Sequence, residues 1–250
     1  METEIRFFPF TQNRPAAGHR ELTRHRDLAI AVLAHELRGP LSAIVNAVNI
    51  LRQKGADGDT LTWACDMVER QARLIGAHVD DLLDVSRAAL GKVQLRMKLV
   101  ALNTVVRNAV ETARPLIESR DHHLKVELPS GDLWLDADPD RIEQVIVNLL
   151  TNAAKYTERC GHIRVQLERK QSEAVLRVQD TGIGIEAAFL PYVFELFSQA
   201  SNGSRGGLGI GLYLARELVR LHGGSVSACS PGPGKGSEFT VRLPVPRRTT

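Results

Sequence analysis

Four short stretches hold residue types that could do chemistry together. In "NLLTNAAKYT", Asn148, Asn152 and Lys155 stand at i, i+4 and i+7. On a helix this spacing makes one polar stripe beside the apolar stripe of Ile142, Val145, Leu149 and Ala153. Two neutral amides and a lysine suit a triphosphate with a hard divalent cation: amide oxygens ligate the cation, and lysine neutralises phosphate oxygens. An ordinary amphipathic helix accounts for the stripe equally well. In "DTGIGI", Asp180 ends an alternating segment. A buried carboxylate there can accept a hydrogen bond from an exocyclic amine such as that of adenine. Gly182 and Gly184 let backbone approach a flat base.

In "RGGLGIGL", Gly206, Gly207, Gly209 and Gly211 lead into a helical pattern. Backbone N–H groups of such a loop, and of the helix N-terminus behind it, can cradle phosphates. No Lys-Ser/Thr follows the glycines, which excludes a P-loop, and no strand immediately precedes them, which excludes a dinucleotide fingerprint. The segment reads as a glycine-rich lid, with Phe194 and Phe197 of "YVFELFSQ" as apolar anchors at its root. The fourth stretch is "AHELRGPL". His35 lies two residues before the apolar seam position Leu37, so on a helix it points about 160° away from the seam, beside Glu36 and Arg38. An exposed imidazole can attack phosphorus, and an adjacent carboxylate can orient it or take its proton. A plain surface histidine fits the same position. Pro40 has no N–H, so the carbonyl of Glu36 loses its helical partner one turn on.

The elements that must carry these residues fall into two regions. From Glu21 the pattern is helical, with Ile30, Leu33, Leu37, Leu41, Ile44, Val48 and Leu51 alternating by threes and fours, the heptad-type spacing of a bundle. After the "GADGD" turn at 55–59, Leu61, Cys65, Val68, Ala72, Ile75, Val79 and Leu82 repeat it, with Asp59 or Thr60 as the cap. One seam per helix cannot be buried by a lone hairpin. Two hairpins across a twofold axis make a four-helix bundle, so a homodimer is expected; the alternative is that both seams pack on the second region of the same chain.

After Gly91 the pattern becomes mixed. "KVQLRMKLV", "HLKVELP" and "DLWLDAD" read as strands, "HIRVQLER" with "AVLRVQD" and "GSVSACS" with "GSEFTVRLP" as hairpins. Helices are expected over 103–119, from the Asp138-Pro139 cap through Lys155, and over 211–222, where Gly223-Gly224 stop it. The fold class expected is α + α/β: a helical hairpin forming a dimeric four-helix bundle, then an α/β sandwich with one mixed, mostly antiparallel sheet and helices on one face. The boundaries expected are 1–18 for an irregular leader, 19–90 for the hairpin, 91–246 for the α/β domain and 247–250 for a tail.

Composition narrows the classes. Apolar residues at 43% support a real core, and 24% charged residues with a net charge of +3 are ordinary. No basic, aromatic-interleaved patch points to nucleic acid. The longest apolar runs, such as "VIVNLL", are far too short for a membrane span, and "METEIRFFPF" is not a signal peptide. Cys65, Cys160 and Cys229 form no metal spacing and read as reduced, buried thiols of a cytoplasmic chain.

Taken together, "HELRGPL", "NLLTNAAKYT", "DTGIGI", "FELF" and "GLGIGL" resemble, in order and spacing, the H, N, G1, F and G2 boxes of sensor histidine kinases of two-component systems. "LVRLHGG" and "GSEFTVRLP" extend the resemblance, which covers residues 21–244. It implies a GHKL-type ATP-binding domain and a protein-histidine kinase, a phosphotransferase with a nitrogenous acceptor, acting in signal transduction. It implies His35 as phosphoacceptor and Glu36 as its acid/base partner. Asn152 is the implied Mg²⁺ ligand, with Asn148 beside it. Lys155, Tyr156, Asp180, Gly182, Gly184, Gly207, Gly209, Gly211 and Leu212 are the implied nucleotide-site residues. The implied cofactors are ATP and Mg²⁺, and the implied partners a response regulator receiver domain and a second copy of the chain. Many members carry threonine or asparagine four residues after the histidine, where it positions water for dephosphorylating the regulator. Here that residue is Gly39, which puts phosphatase activity in question. No sensor or membrane segment is recognisable before the bundle, so the signal is expected from a separate sensor protein or from a longer chain. Two other classes remain at this stage: another GHKL ATPase, such as an anti-sigma type serine kinase, and a nucleotide-binding dimeric scaffold without kinase activity.

Overall fold

Alternation between apolar and charged residues decides the sheet. Along β4 (His162–Lys170), Ile163, Val165 and Leu167 are buried while Arg164, Gln166 and Glu168 point the other way. Strand β5 (Glu173–Asp180) pairs with it antiparallel and sets Val178 and Leu176 opposite Val165 and Leu167. Only one face of such a sheet can be covered, and the other is solvated. The solvated face carries cross-strand ion pairs, among them Arg164–Glu127 at 2.6 Å and Arg177 with Glu168.

The computed structural model describes residues 37–53, 57–199 and 208–245, without the side chain of Ala89. The order is α1 (37–51), α2 (Gly58–Ala89), β1 (Lys98–Ala101), α3 (Leu102–Glu118), β2 (His123–Glu127), β3 (Trp134–Ala137), α4 (Pro139–Tyr156), β4, β5, a short 3₁₀ turn (Leu190–Tyr192), α5 (Gly211–Leu221), β6 (Ser225–Cys229) and β7 (Ser237–Pro244). The main sheet has five strands in the order β2-β4-β5-β7-β6. Only β2 runs parallel to its neighbour, β4, and the other pairs are antiparallel. Helices α3, α4 and α5 supply the apolar layer through Val106, Ile117, Ile146, Leu149, Leu150, Leu214 and Leu218, each 1% exposed or less. Their core also takes in Phe239, Val241 and Leu243 of β7.

Two expected strands leave the main sheet. β1 and β3 pair antiparallel as a separate two-stranded sheet, Val100 against Leu135. Of "KVQLRMKLV" only Lys98–Ala101 is strand, and 92–97 is irregular chain whose Arg96 N–H donates to Asp138 Oδ2. The alternation of 92–97 has no partner strand, and a lone extended segment gains nothing from it. Asp138 also caps α4, its Oδ1 accepting from the N–H groups of Asp140 and Arg141. The N–H of Asp138 donates to Nε2 of buried His222 at 3.0 Å, while Nδ1 of that ring donates to the Leu218 carbonyl. The imidazole therefore ties the end of α5 to the start of α4, with its proton on Nδ1.

In the hairpin, the cap of α2 is Asp57, which accepts from Thr60 N–H, and not Asp59 or Thr60. The helix starts one residue before Asp59, so both expected caps lie inside it. The seams split. Pro40 and Ala47 of α1 and Ala64 of α2 are buried, but Leu41, Val45 and Val48 of α1, and Leu61, Val79 and Leu83 of α2, stand exposed. The far end of α2 meets the α/β domain instead, where Val85 clusters with Leu208 and Ile210. The expectation of buried thiols fails: Cys65, Cys160 and Cys229 are all exposed and free. Cys65 stands exposed in the stripe of α2 that also holds exposed Leu61. Cys160 sits with φ 61° in the turn before β4, and Cys229 ends the edge strand β6. Among the described residues no helix is long and apolar enough to cross a membrane.

Candidate functional site

Helix α4 builds the floor of the site. Its apolar stripe faces the core, which leaves Asn148, Asn152, Lys155 and Tyr156 half-buried at the edge of that core. Asn148 Nδ2 donates to the carbonyl of Gly211, the first residue of α5, at 3.2 Å. A Cβ on Gly211 would lie 3.5 Å from the Asn148 side chain, so α5 begins directly against this amide. The start of α5 has Ile210 in the capping position with no side-chain cap, and no acidic residue in its first turn. A positive helix end without a side-chain cap suits an anion. Lys155 Nζ lies 5.6 Å from the centroid of the Tyr156 ring.

Asp180 ends β5 with 6% exposure. Its Oδ1 accepts from Gly182 N–H at 2.8 Å and its Oδ2 from the Ser237 hydroxyl. The loop after it closes on α4: Ile183 N–H donates to the Tyr156 carbonyl at 3.1 Å, and a Cβ on Gly182 would lie 2.4 Å from that oxygen. Only a residue without a side chain passes there. The carboxylate, the amide face of α4 and the start of α5 thus converge on one side of the domain.

The root of the glycine-rich segment is held at two points. Phe194 meets Phe239 of the main core edge to face, with ring centroids 6.2 Å apart. Phe197 packs instead on the Val85, Leu208 and Ile210 cluster, and its N–H donates to the Gly209 carbonyl at 3.0 Å. Leu212 packs half-buried against the core. Beside this contact Asp84 of α2, 8% exposed, accepts from Arg141 Nη1 at 2.6 Å and from Gln144 Nε2 at 3.0 Å. Burial pushes the neighbouring Asp81 carboxyl above its ordinary value, and the charges of Asp84 and Asp80 add to this.

Asn148 meets Gly211 at the start of α5, where Leu212 follows, and Tyr156, Asp180 and Gly182 meet at the loop after β5. Asn152 and Lys155 lie on α4 with Asn148, Gly184 closes on Gly232, and Gly209 meets Phe197. His35, Glu36 and Gly207 lie outside the described residues. Sequence reasoning missed Ser237, Ser230 and the Asp84–Arg141 pair. No local pattern marks them, because each acts on a residue 45 or more positions away.

Residues 25–91 match the model of the His Kinase A (phospho-acceptor) domain, and residues 137–247 match that of the histidine kinase-, DNA gyrase B-, and HSP90-like ATPase. The chain belongs to the histidine kinase family. Among curated relatives, the adaptive-response sensory kinase SasA of Synechococcus sp. is 33% identical over 245 residues, covering 95% of this chain and 64% of that protein. The circadian input-output histidine kinase CikA of Synechococcus elongatus is 32% identical over 231 residues, covering 86% of this chain and 29% of that protein. The chain thus spans less than two thirds of these histidine kinases. Among solved structures, histidine kinase ThkA in complex with the response regulator protein TrrA superposes with a TM-score of 0.68 at 21% identity, over 92% of this chain and 65% of that one. Acinetobacter baumannii histidine kinase AdeS gives 0.64 at 22% identity, over 84% of this chain and 98% of that one. At these identities the likeness is one of fold. The matched ATPase segment of this chain starts at Ala137, yet α3, which precedes it, contributes Val106 and Ile117 to the same core.

Proposed function

We propose that this chain is a protein-histidine kinase that phosphorylates its own His35 from ATP and passes the group to an aspartate of a response regulator receiver domain. The observation that carries the nucleotide half is the convergence of buried Asp180, the Asn148–Asn152 face of α4 and the uncapped start of α5. These residues fit a purine triphosphate: a carboxylate for the exocyclic amine, open N–H groups for phosphate, and neutral amide oxygens that suit a hard cation already balanced by phosphate charge. Asn152 would hold Mg²⁺, with Asn148 beside it. When bound, Mg²⁺ supplies charge neutralisation to the phosphates. Lys155 adds a positive charge at the same edge, and Tyr156 lines the base side. An imidazole nitrogen of His35 attacks the γ-phosphorus, the bond to the ADP oxygen breaks, and Glu36 takes the imidazole proton.

Incubation with γ-labelled ATP is expected to give acid-labile, alkali-stable label that is lost in His35→Ala. Acid-stable label would favour the serine-kinase branch of the same ATPase class. ATP binding without label would favour a scaffold.

The second copy belongs to the same reading. Leu41, Val45, Val48, Leu61 and Val79 leave the hairpin with an unpaired apolar face of the kind a four-helix bundle buries. Mixed dimers of His35→Ala and Asn152→Ala chains then separate transfer within a subunit from transfer across the dimer, since label in the mixed species means transfer across. Gly39 faces open space, with nothing within 4 Å of a would-be Cβ. Gly39→Thr is therefore tolerated sterically. It is expected to raise dephosphorylation of the phosphorylated regulator several-fold while autophosphorylation changes less than about two-fold.

A further inference from the structure

The loop from Gly182 to Ile185 belongs to no strand or helix, yet it must hold Asp180 in one pose. Its support is the β6–β7 loop. Gly234 N–H donates to the Ile183 carbonyl at 2.6 Å and Gly236 N–H to the Gly182 carbonyl at 3.0 Å. The two loops touch without spare room. Gly184, at φ +67°, would place a Cβ 2.1 Å from the Gly232 carbonyl oxygen.

One hydroxyl spans the junction. Ser230 Oγ accepts from Ile185 N–H at 2.9 Å and from Gly232 N–H at 3.2 Å, and it donates to the Gly236 carbonyl at 2.7 Å. That uses its single hydrogen and both of its acceptor positions. The two ends matter because of what adjoins them. Ile185 lies in the loop whose Gly182 N–H holds Asp180 Oδ1. Gly236 immediately precedes Ser237, whose hydroxyl holds Asp180 Oδ2. Both oxygens of the carboxylate are thus oriented by segments that Ser230 ties together.

We propose that Ser230 is a positioning residue of the nucleotide site, which sets the pose of Asp180 toward the amine of the base. The proposal rests on the nucleotide reading above and deepens it. Removal of the hydroxyl leaves the N–H of half-buried Ile185 and the carbonyl of buried Gly236 without this partner. The backbone bonds from Gly234 and Gly236 stay, so the hairpin keeps its fold. The loss falls on the base and not on phosphoryl transfer.

The test is steady-state autophosphorylation of the full chain with ATP and with inosine triphosphate, which has a carbonyl where adenine has its amine. Ser230→Ala is expected to raise KM for ATP roughly five- to ten-fold, the size of one lost hydrogen bond, with kcat within about two-fold. KM for inosine triphosphate barely moves, so the preference for ATP shrinks. The melting temperature falls by only a few degrees, and Ser230→Thr, which keeps the hydroxyl, restores the wild-type values. Ser230→Cys falls between, and it carries the test if the alanine variant does not fold. Unchanged KM and preference in a folded variant would overturn the proposal. So would an equal loss for both nucleotides together with a fall in kcat, which would mark general loosening. Failure of the underlying reading looks different: the wild-type chain itself would neither bind ATP nor take label, and the proposal would fall with it.

Discussion

Along α1, Leu41, Val45 and Val48 are 51%, 57% and 38% exposed, whereas Ile142, Val145, Ile146 and Leu149 of α4 are each 1% exposed or less. Both helices carry apolar stripes at helical spacing. The stripe of α4 meets a sheet and two neighbouring helices, and one chain is enough to bury it. Much of the stripe of α1 stays exposed among the described residues, and a two-helix hairpin has one contact line for two apolar faces. Similar local patterns therefore have different consequences: one region completes its core within the chain, and the other leaves an apolar face exposed. The end of α2 forms a third case, where Asp84 and Val85 are covered by Arg141, Leu208 and Ile210 of the α/β domain.

Substitutions can break this contrast or sharpen it. The largest effect is expected inside the closed core, where Leu149→Ala should cost about 2–5 kcal/mol. Thermal or urea unfolding of the α/β domain would report it, while hairpin association stays as in the wild type. A loss below about 1 kcal/mol would mean that the core relaxes around the gap.

Val45→Asp acts in the opposite sense. It is expected to leave the α/β melting transition in place and to shift the hairpin toward monomer, with each dimer losing the burial of two side chains at roughly 1.5–3 kcal/mol apiece. Sedimentation over a concentration series measures this. A variant that associates as tightly as the wild type would show that the exposed face is not the dimer seam.

Asp84→Ala with Arg141→Ala forms a double-mutant cycle across the contact between the two regions. Arg141 keeps about a quarter of its side chain in solvent, 27%, so the coupling is expected near 1 kcal/mol rather than the larger values of buried pairs. Protease access to the 90–97 linker should rise in either single variant.

The smallest effect is expected at Asp81. Its carboxyl is held above the ordinary 3.8 by burial and by Asp84 and Asp80. A raised carboxyl value costs the folded state stability once the group ionises, and that cost vanishes below 3.8, where both states are protonated. Asp81→Asn should therefore raise the melting temperature by roughly 1–2 °C at neutral pH, with the gain fading as pH falls toward 3.8. A gain constant across pH would point to packing instead of charge.

The order of elements was legible in the chain because capping and periodicity are local. Asp138-Pro139 announces α4, Gly223 ends the turn after α5, and both hairpins of the main sheet follow from alternation. The amide stripe and Asp180 were legible for the same reason, since one helix face or one strand end places them. What stayed hidden were choices between partners. Alternation predicts strands over 92–100 and 132–138, but it does not say that only 98–101 and 134–137 form ladders or that these leave the main sheet to pair with each other. The three thiols were misplaced for separate reasons: Cys65 keeps the seam spacing of α2 but much of that stripe stands exposed, Cys160 lies in a turn without a period, and Cys229 falls out of phase with Val226 and Ala228 of β6.

By itself, then, the sequence determined which segments become helix or strand and which residue types line one face, because those depend on neighbours within a turn or a pleat. Tertiary structure alone decided that Ser237 and Gly182 would share Asp180, that Ser230 would tie their two loops, and that Asp84 would meet Arg141. Ser237, Ser230 and Asp84 reach Asp180, Ile185 and Arg141 across 45 to 57 positions, and only the pairing of β5 with β7, the closure of their loops on each other and the docking of α2 on the α/β domain bring them within hydrogen-bond reach.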